Sequence, residues 1–232
     1  MLKKQISYDD TGVQLEAYAV YPDEKKRPAV ILCHAWRGLD DFIRDKAETI
    51  ARWGYVSFAI DMYGKGVLGK DKKECAALKK PFIEDRMLLL RRVTKGYETA
   101  TMFSPIDTSR MAVLGYGFGG VCALDLARSG AALKAAISVY GHFNPPTYPN
   151  QTKAKILILH GYNDPVATQD ELHAFEREMD AAKVDWQVHL FGNTLHAFAT
   201  PSANDPASGL LYNPASALRA ERSLRIFLEE AL

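Results

Sequence analysis

The stretch from Met111 to Gly130, MAVLGYGFGGVCALDLARSG, constrains the possible folds of this chain most strongly. Met111 to Leu114 form an apolar, partly β-branched run, and apolar residues from Gly120 onward recur at helical spacing. A buried strand is therefore predicted to turn sharply into a helix within the glycine-rich sequence Gly-Tyr-Gly-Phe-Gly at residues 115–119. The central residue of such a turn needs a positive φ, which glycine adopts at no steric cost.

This strand–turn–helix pattern is that of a nucleophile elbow. In the pattern Gly-x-nucleophile-x-Gly, a strained turn lifts one side chain above the sheet at a helix N-terminus. Gly117 stands at the nucleophile position of this sequence. The sequence thus predicts an elbow without an attacking atom.

Apolar runs alternate with helical patterns along the rest of the chain, which predicts an α/β fold with a mostly parallel sheet of about eight strands and helices on both faces. An antiparallel edge hairpin is expected from residues 3–8 and 13–21. At 232 residues a single domain spanning 1–232 is expected, with no separate cap domain. Helices are predicted to begin after Asp40 or Asp41, at Pro81, after Thr168 and at Asn213-Pro214.

Composition and charge exclude several classes of partner. A net charge of +1 gives no electrostatic footprint for nucleic acid. No apolar run approaches the roughly 18 residues of a membrane span, and the opening MLKKQISYDD has no apolar h-region, so a cytoplasmic location is expected. The three cysteines are widely spaced, which favours reduced thiols over disulfides or a zinc site.

Three strand ends carry the candidate chemistry. Gly117 follows the elbow strand, Asp164 follows the strand 155–159, and His196 follows the strand 185–191. Sites in open α/β sheets lie beyond the carboxyl ends of the strands. The chain order of nucleophile position, acid and base is that of the α/β-hydrolase triad, so these three residues are the predicted catalytic set.

With these pieces in place, the chain resembles the dienelactone hydrolase family of α/β-hydrolases along nearly its whole length. The resemblance implies a hydrolase of small carboxylic esters or lactones that needs no metal or organic cofactor. It implies that Asp164 orients His196 as general base, and that the backbone N–H groups of Trp36 and Phe118 form an oxyanion hole. The matching segments are His34 to Gly38, Asp61 to Gly64, Gly115 to Gly120, Tyr140-Gly141, His160 to Asp164 and His196 to Phe198.

Three positions depart from the family pattern. Gly117 replaces the nucleophile, Ala35 occupies the place of an acidic residue, and Thr200 stands where the type enzyme has a substrate-carboxylate arginine. Cys33 and Cys122 are interpreted as core residues and not as substitute nucleophiles. The predicted lining of the cleft, with packing roles as the alternative, is Tyr63, Tyr116, His142 and Phe198.

Two classes of function remain open at this stage. The chain is either a hydrolase depleted of its nucleophile, or a catalytically inactive binding or regulatory protein that uses the same cleft for a small ester, lactone or carboxylate. A third possibility is that His196 with Asp164 activates water directly, because oxyanion holes retain some catalysis when a nucleophile is lost.

Overall fold

The computed structural model describes residues 1–232 and is built around one eight-stranded sheet. Its strands are β1 (Leu2–Asp10), β2 (Val13–Tyr21), β3 (Arg27–Cys33), β4 (Val56–Ile60), β5 (Ile106–Tyr116), β6 (Ala135–Val139), β7 (Lys155–Gly161) and β8 (Trp186–Phe191). They lie in the order β1-β2-β4-β3-β5-β6-β7-β8. Only the pairs β1–β2 and β2–β4 are antiparallel, so the predicted edge hairpin and the mostly parallel sheet are confirmed.

Helices cover both faces of this sheet. They are α1 (Asp41–Arg52), α2 (Lys72–Glu84), α3 (Arg86–Thr101), α4 (Phe118–Arg128), α5 (Gln169–Ala181) and α6 (Pro214–Ala231). Alternate residues of a strand point to opposite faces. Ile31 of β3 packs in the cluster that holds residues of α3, α4 and α5, whereas its neighbour Leu32 packs in the cluster that holds residues of α1 and α6. The two-faced α/β architecture predicted from the sequence is therefore confirmed.

Three predicted helix starts are also confirmed. The Asp40 side chain caps α1 by accepting from the Ile43 N–H, and Asn213 caps α6 by accepting from the Ser216 N–H. Thr168 begins α5 with a reciprocal capping box. Each cap satisfies backbone donors that the first turn of a helix leaves unpaired.

The prediction of a helix starting at Pro81 is wrong. Pro81 lies inside α2, which ends at Glu84. The side chain of the next residue, Asp85, caps a separate helix, α3. Helix α2 starts at Lys72, nine residues before Pro81, because Asp71 accepts from the Glu74 N–H. A continuous helix from Pro81 would also have Met87 on one apolar side with Ile83 and Leu90, but Met87 is 60% exposed.

Two irregular segments complete the edge of the sheet where the strands β5, β6, β7 and β8 end. Residues 140–154 contain no helix or strand, and so no cap domain is inserted between β6 and β7. Residues 192–213 include a small hairpin of β9 (Asn204–Asp205) and β10 (Leu210–Leu211). No helix is both long and apolar enough to cross a membrane.

Candidate active site

The tip of the elbow has the strained geometry that the sequence predicts. Gly117 joins β5 to α4 with φ 54° and ψ −112°, and it has no side chain to cap the helix. Its N–H donates to the Val139 carbonyl at 3.0 Å, which ties the turn to the end of β6. An aromatic or branched residue would be strained at this φ, whereas glycine is not.

Asp164 and His196 form a hydrogen-bonded pair beside this turn. His196 Nδ1 lies 2.7 Å from Asp164 Oδ2. Asp164 Oδ1 accepts from the N–H groups of Val166 at 2.8 Å and Ala167 at 3.0 Å. Burial raises the pKa of Asp164, but the hydrogen bonds and charge of His196 and the Ala167 N–H outweigh it, so the pKa lies below its usual value.

An ionised Asp164 determines which ring nitrogen of His196 is free. Because Oδ2 can only accept a hydrogen bond, Nδ1 carries the proton of a neutral imidazole and Nε2 keeps its lone pair. A Cβ built on Gly117 would lie 3.9 Å from that Nε2 atom. A Ser Oγ or Cys Sγ on that Cβ would come within about 3 Å of a base.

Tyr140 forms a wall of the same space. Its Cε2 atom is 3.3 Å from the Cβ position of residue 117, and its ring contacts His196 edge to face with 5.2 Å between ring centroids. Tyr140 itself has φ 43°, rare for an aromatic residue, and its hydroxyl is 2.8 Å from Thr200 Oγ1. Tyr140 is not among the site residues predicted from the sequence, although its position directly after a strand was an available signal.

The elbow, Tyr140 and His196 open into a cavity of about 620 Å³. The Trp36 N–H, also on the cavity, donates no hydrogen bond to the protein. Phe118 is the first residue of α4, where backbone donors lack intrahelical partners and the helix dipole favours an anion. These two backbone groups therefore suit an oxyanion.

Lys79 also lines this cavity. Its Nζ lies 5.7 Å from the centre of the Trp36 ring, and Lys79 forms no salt bridge. Burial lowers the pKa of this ammonium group. A cation half removed from water without a carboxylate partner attracts anions in the cavity.

Of the predicted lining residues, His142 alone lies on the cavity, and the other three pack beneath it. The Tyr63 hydroxyl donates to the Trp36 carbonyl at 3.0 Å, so it supports the Trp36 loop from below. Tyr116 is 3% exposed and Phe198 is fully buried, and both pack against Tyr140. These three side chains point into the protein and not into the cavity. Local backbone angles determine this direction.

His34 and the two cysteines interpreted as core residues are buried. His34 Nδ1 lies 2.7 Å from the Ala35 carbonyl, and its Nε2 accepts from the Met62 N–H at 3.1 Å. Cys33 and Cys122 are fully buried, and burial raises the pKa of both thiols. Nowhere in residues 1–232 do three or more His, Cys, Asp or Glu side chains form a group that could hold a metal ion.

A sheet of this strand order, with an elbow between β5 and α4, defines the α/β-hydrolase fold. Within that class the chain belongs to the dienelactone hydrolase family, whose model matches residues 15–232. An Aquifex aeolicus relative named "Putative carboxymethylenebutenolidase" is 25% identical over 228 residues, which cover 94% of both chains.

Two solved structures are similar over nearly their whole length. The structure of m3DLH has a TM-score of 0.95 and 28% identity, and the match covers 100% of this chain and 98% of that one. The dienelactone hydrolase-like promiscuous phosphotriesterase P91, from metagenomic libraries, has a TM-score of 0.94 and 27% identity, covering 99% of this chain and 98% of that one. The relatives therefore have the same architecture from end to end.

Proposed function

We propose that the cavity is the site of a hydrolase of small carboxylic esters or lactones, with Gly117 standing at the nucleophile position. The observation that supports this most directly is the Asp164–His196 pair, whose Nε2 faces the elbow 3.9 Å from the Cβ position of residue 117. A base oriented by a buried carboxylate and aimed at an elbow is the arrangement that activates a nucleophile.

In this chain the attacking group would be water. His196 Nε2 takes a proton from a water molecule as it adds to the carbonyl carbon, while Asp164 stabilises the imidazolium that forms. The N–H groups of Trp36 and Phe118 bind the resulting oxyanion. The positive end of α4 adds to this stabilisation. The imidazolium then gives its proton to the leaving oxygen as the ester C–O bond breaks and the acid is released.

Turnover by this route should be slow. Without a side-chain oxygen or sulfur at residue 117 no acyl-enzyme can form, and the substrate and water must be held together by the cavity alone. Oxyanion stabilisation and binding by themselves give about 10³–10⁴-fold acceleration over water in proteases that have lost their triad.

A second candidate function is binding without turnover. The same glycine favours it, because an anion-attracting cavity with no attacking atom can retain a carboxylate or lactone unchanged. A regulatory or carrier protein would use the cavity in this way, with Lys79 and the α4 N-terminus as the attractive groups.

Restoring the nucleophile distinguishes the two functions. Gly117→Ser and Gly117→Cys should raise initial rates on small activated esters by about 100-fold or more, and adding His196→Ala should remove the gain. Gly12→Ala is the matched control, since Gly12 has φ 87° in the β1–β2 turn with no atom near its Cβ position. If both folded variants are no faster than the parent, or remain fast without His196, the cavity is a binding site and not a hydrolase site.

A further inference from the structure

Glycine at residue 117 leaves the Nε2 atom of His196 without a side chain in front of it. A Cβ at this residue would lie 3.9 Å from Nε2 and 3.3 Å from Cε2 of Tyr140, so any side chain here would narrow the space beside the base. His196 and Tyr140 both line the cavity, so a ligand bound there can approach Nε2 directly. Proton transfer from a C–H bond needs the reacting atoms about 3–3.5 Å apart.

We infer that the same cavity catalyses proton transfer at a carbon next to a carbonyl group, isomerising small unsaturated lactones or related carbonyl compounds. This inference rests on the proposed use of the cavity for lactones and esters, but it requires no hydrolysis. The juxtaposition that supports it is an oriented base, a cavity that reaches this base with no nucleophile in between, and backbone N–H groups on the same cavity.

The reaction balances without a co-reactant. His196 Nε2 removes the proton from the α carbon, and the C–H electron pair becomes a double bond to the carbonyl carbon as charge moves onto the oxygen. The Trp36 and Phe118 N–H groups hold this dienolate. The protonated Nε2 then returns the proton to the γ carbon, the carbonyl re-forms, and the double bond lies between the α and β carbons, conjugated with it.

One base can serve both ends of this transfer. The α and γ carbons of a five-membered lactone are ring neighbours of the same atom and lie on the same edge of the ring. A base on one face of the ring can remove the proton from the α carbon and return it to the γ carbon on that same face after a small slide. No second acid is therefore needed on the opposite face.

His142 and Lys79 favour the charged intermediate. The ring centroid of His142 is 6.2 Å from that of His196, and both side chains line the cavity. Burial, together with the nearby His196 and Lys79, lowers the pKa of His142 to about 4, so its imidazole is neutral near pH 7. A neutral imidazole can donate an N–H to a developing enolate without competing with His196 for the substrate proton.

Gly117→Ala separates this activity from hydrolysis. The added methyl group would narrow the space in front of His196 Nε2 but supply no nucleophile. We therefore expect Gly117→Ala and His196→Ala to lower isomerisation by about 100-fold or more each. Gly12→Ala, which places a methyl group at a positive φ far from the cavity, should retain the parent rate.

The probe is α-angelica lactone, followed by proton NMR with the whole chain. Isomerisation gives the conjugated γ-lactone, β-angelica lactone, whereas hydrolysis gives levulinic acid, so one spectrum separates the two reactions. Folding of each variant is checked by circular dichroism, and His196→Ala changes no backbone angle if Gly117→Ala fails to fold.

Conjugated lactone formed by the parent and by Gly12→Ala, but not by His196→Ala, supports the inference. Levulinic acid alone overturns it while supporting the hydrolase. Neither product, with the Trp36 and Phe118 amide signals still shifted by the lactone, overturns both reactions and supports binding without turnover. Isomerisation that persists in His196→Ala overturns the role of the base.

Discussion

At the scale of single residues, the hydrogen bonds of Asp164 determine which tautomer the neutral imidazole of His196 adopts. Asp164 Oδ1 accepts from two backbone N–H groups, so this position needs an oxygen, and Oδ2 faces His196 Nδ1. In Asp164→Asn the side-chain oxygen keeps the Oδ1 position, and the amide nitrogen takes the place of Oδ2. It donates to Nδ1 and thereby moves the imidazole proton onto Nε2, where it blocks the base.

Asp164→Asn should therefore abolish catalysis without unfolding the protein. In the Gly117→Ser background we expect kcat to fall by about 10³–10⁴-fold with little change in KM. Steady-state kinetics measure this, with exposed Asp170→Asn as the control. A loss below about tenfold would show that Asp164 does not orient the base.

His142 gives the protein a pH-dependent stability. Its pKa is about 4 in the folded chain and about 6.5 when unfolded, so between these values the unfolded state binds a proton that the native state does not. The free energy of unfolding should rise with pH across this window and level off above it. Lys79 and His196 disfavour its protonation, while Glu171 and Asp164 favour it.

Urea unfolding between pH 4.5 and 7.5 tests this contribution. His142→Gln should lose about 2 kcal/mol of the pH-dependent change. The buried His34 and His160, whose pKa values burial also lowers, leave a residual slope of the same sign in the variant. An unchanged slope in His142→Gln would mean that His142 is exposed to water in solution.

The sequence could predict the positions of Asp164, His196 and Gly117 because strand ends are fixed by hydrophobic pattern. It could not predict which aromatic side chains reach the cavity. Tyr116 is the last residue of β5 and Phe198 follows the positive-φ residue Ala197, so a change of one backbone torsion decides where each ring points. Tyr140 was missed for the same reason.

At the scale of elements, the crossing of β5, β3 and α4 depends on glycines that no other residue can replace. A Cβ on Gly115 would lie 1.8 Å from the Gly119 carbonyl oxygen, and one on Gly119 would lie 2.1 Å from the Cys33 carbonyl oxygen. Both contacts are with backbone, which cannot rotate away. The helix can therefore approach the sheet closely enough to place its N-terminus at the cavity.

Gly119→Ala should destabilise the protein severely. Overpacking commonly costs about 1–3 kcal/mol, and a clash between rigid backbone segments should exceed that range. Gly192→Ala is the matched control, because Gly192 has nothing within 4 Å of its Cβ position. Thermal unfolding would contradict this if both variants melted within about 2 °C of the parent.

Long-range ion pairs hold the segment that carries His142. Arg86 of α3 binds Asp125 of α4 through two short hydrogen bonds, and Arg128 of α4 binds Glu178 of α5 in the same way. Arg128 also donates to the Phe143 carbonyl. These partners are 39 and 50 residues apart, so no local pattern in the sequence indicates them.

Helix α2 shows the limit of reading helix starts from proline. Pro81 suits a first helical turn, but Asp71 followed by Glu74 is an equally good start signal ten residues earlier. Phe82 and Cys75 pack inward and stabilise the longer helix against the loss of one hydrogen bond at Pro81. Packing thus decided between two local signals of similar strength.

At the scale of the whole molecule, the cavity is completed by parts of the chain that the sequence pattern does not connect. The His196 N–H donates to the Gly209 carbonyl, and the Leu211 N–H donates to the His196 carbonyl, at 2.9 and 3.1 Å. The β9–β10 hairpin therefore holds the backbone of the proposed base. Strands of two residues have no detectable periodicity, which is why this hairpin could not be predicted.

Because the cavity joins the centre of the sheet to both irregular segments, a ligand bound there should stabilise the entire fold. We expect butyrate to raise the melting temperature, since its carboxylate suits the free Trp36 N–H, the N-terminus of α4 and the ammonium group of Lys79. At a butyrate concentration of about 100 times Kd, the gain in the free energy of unfolding is about 2.7 kcal/mol, or roughly 5–10 °C for a chain of this size.

Butyramide has the same shape without the charge and should give a much smaller rise in melting temperature. NMR should show the Trp36 and Phe118 amides shifting with the same Kd that the melting curves give. Equal stabilisation by butyramide, or amide shifts confined to the exposed lysines of α2, would mean that the cavity does not bind carboxylates at the proposed oxyanion position.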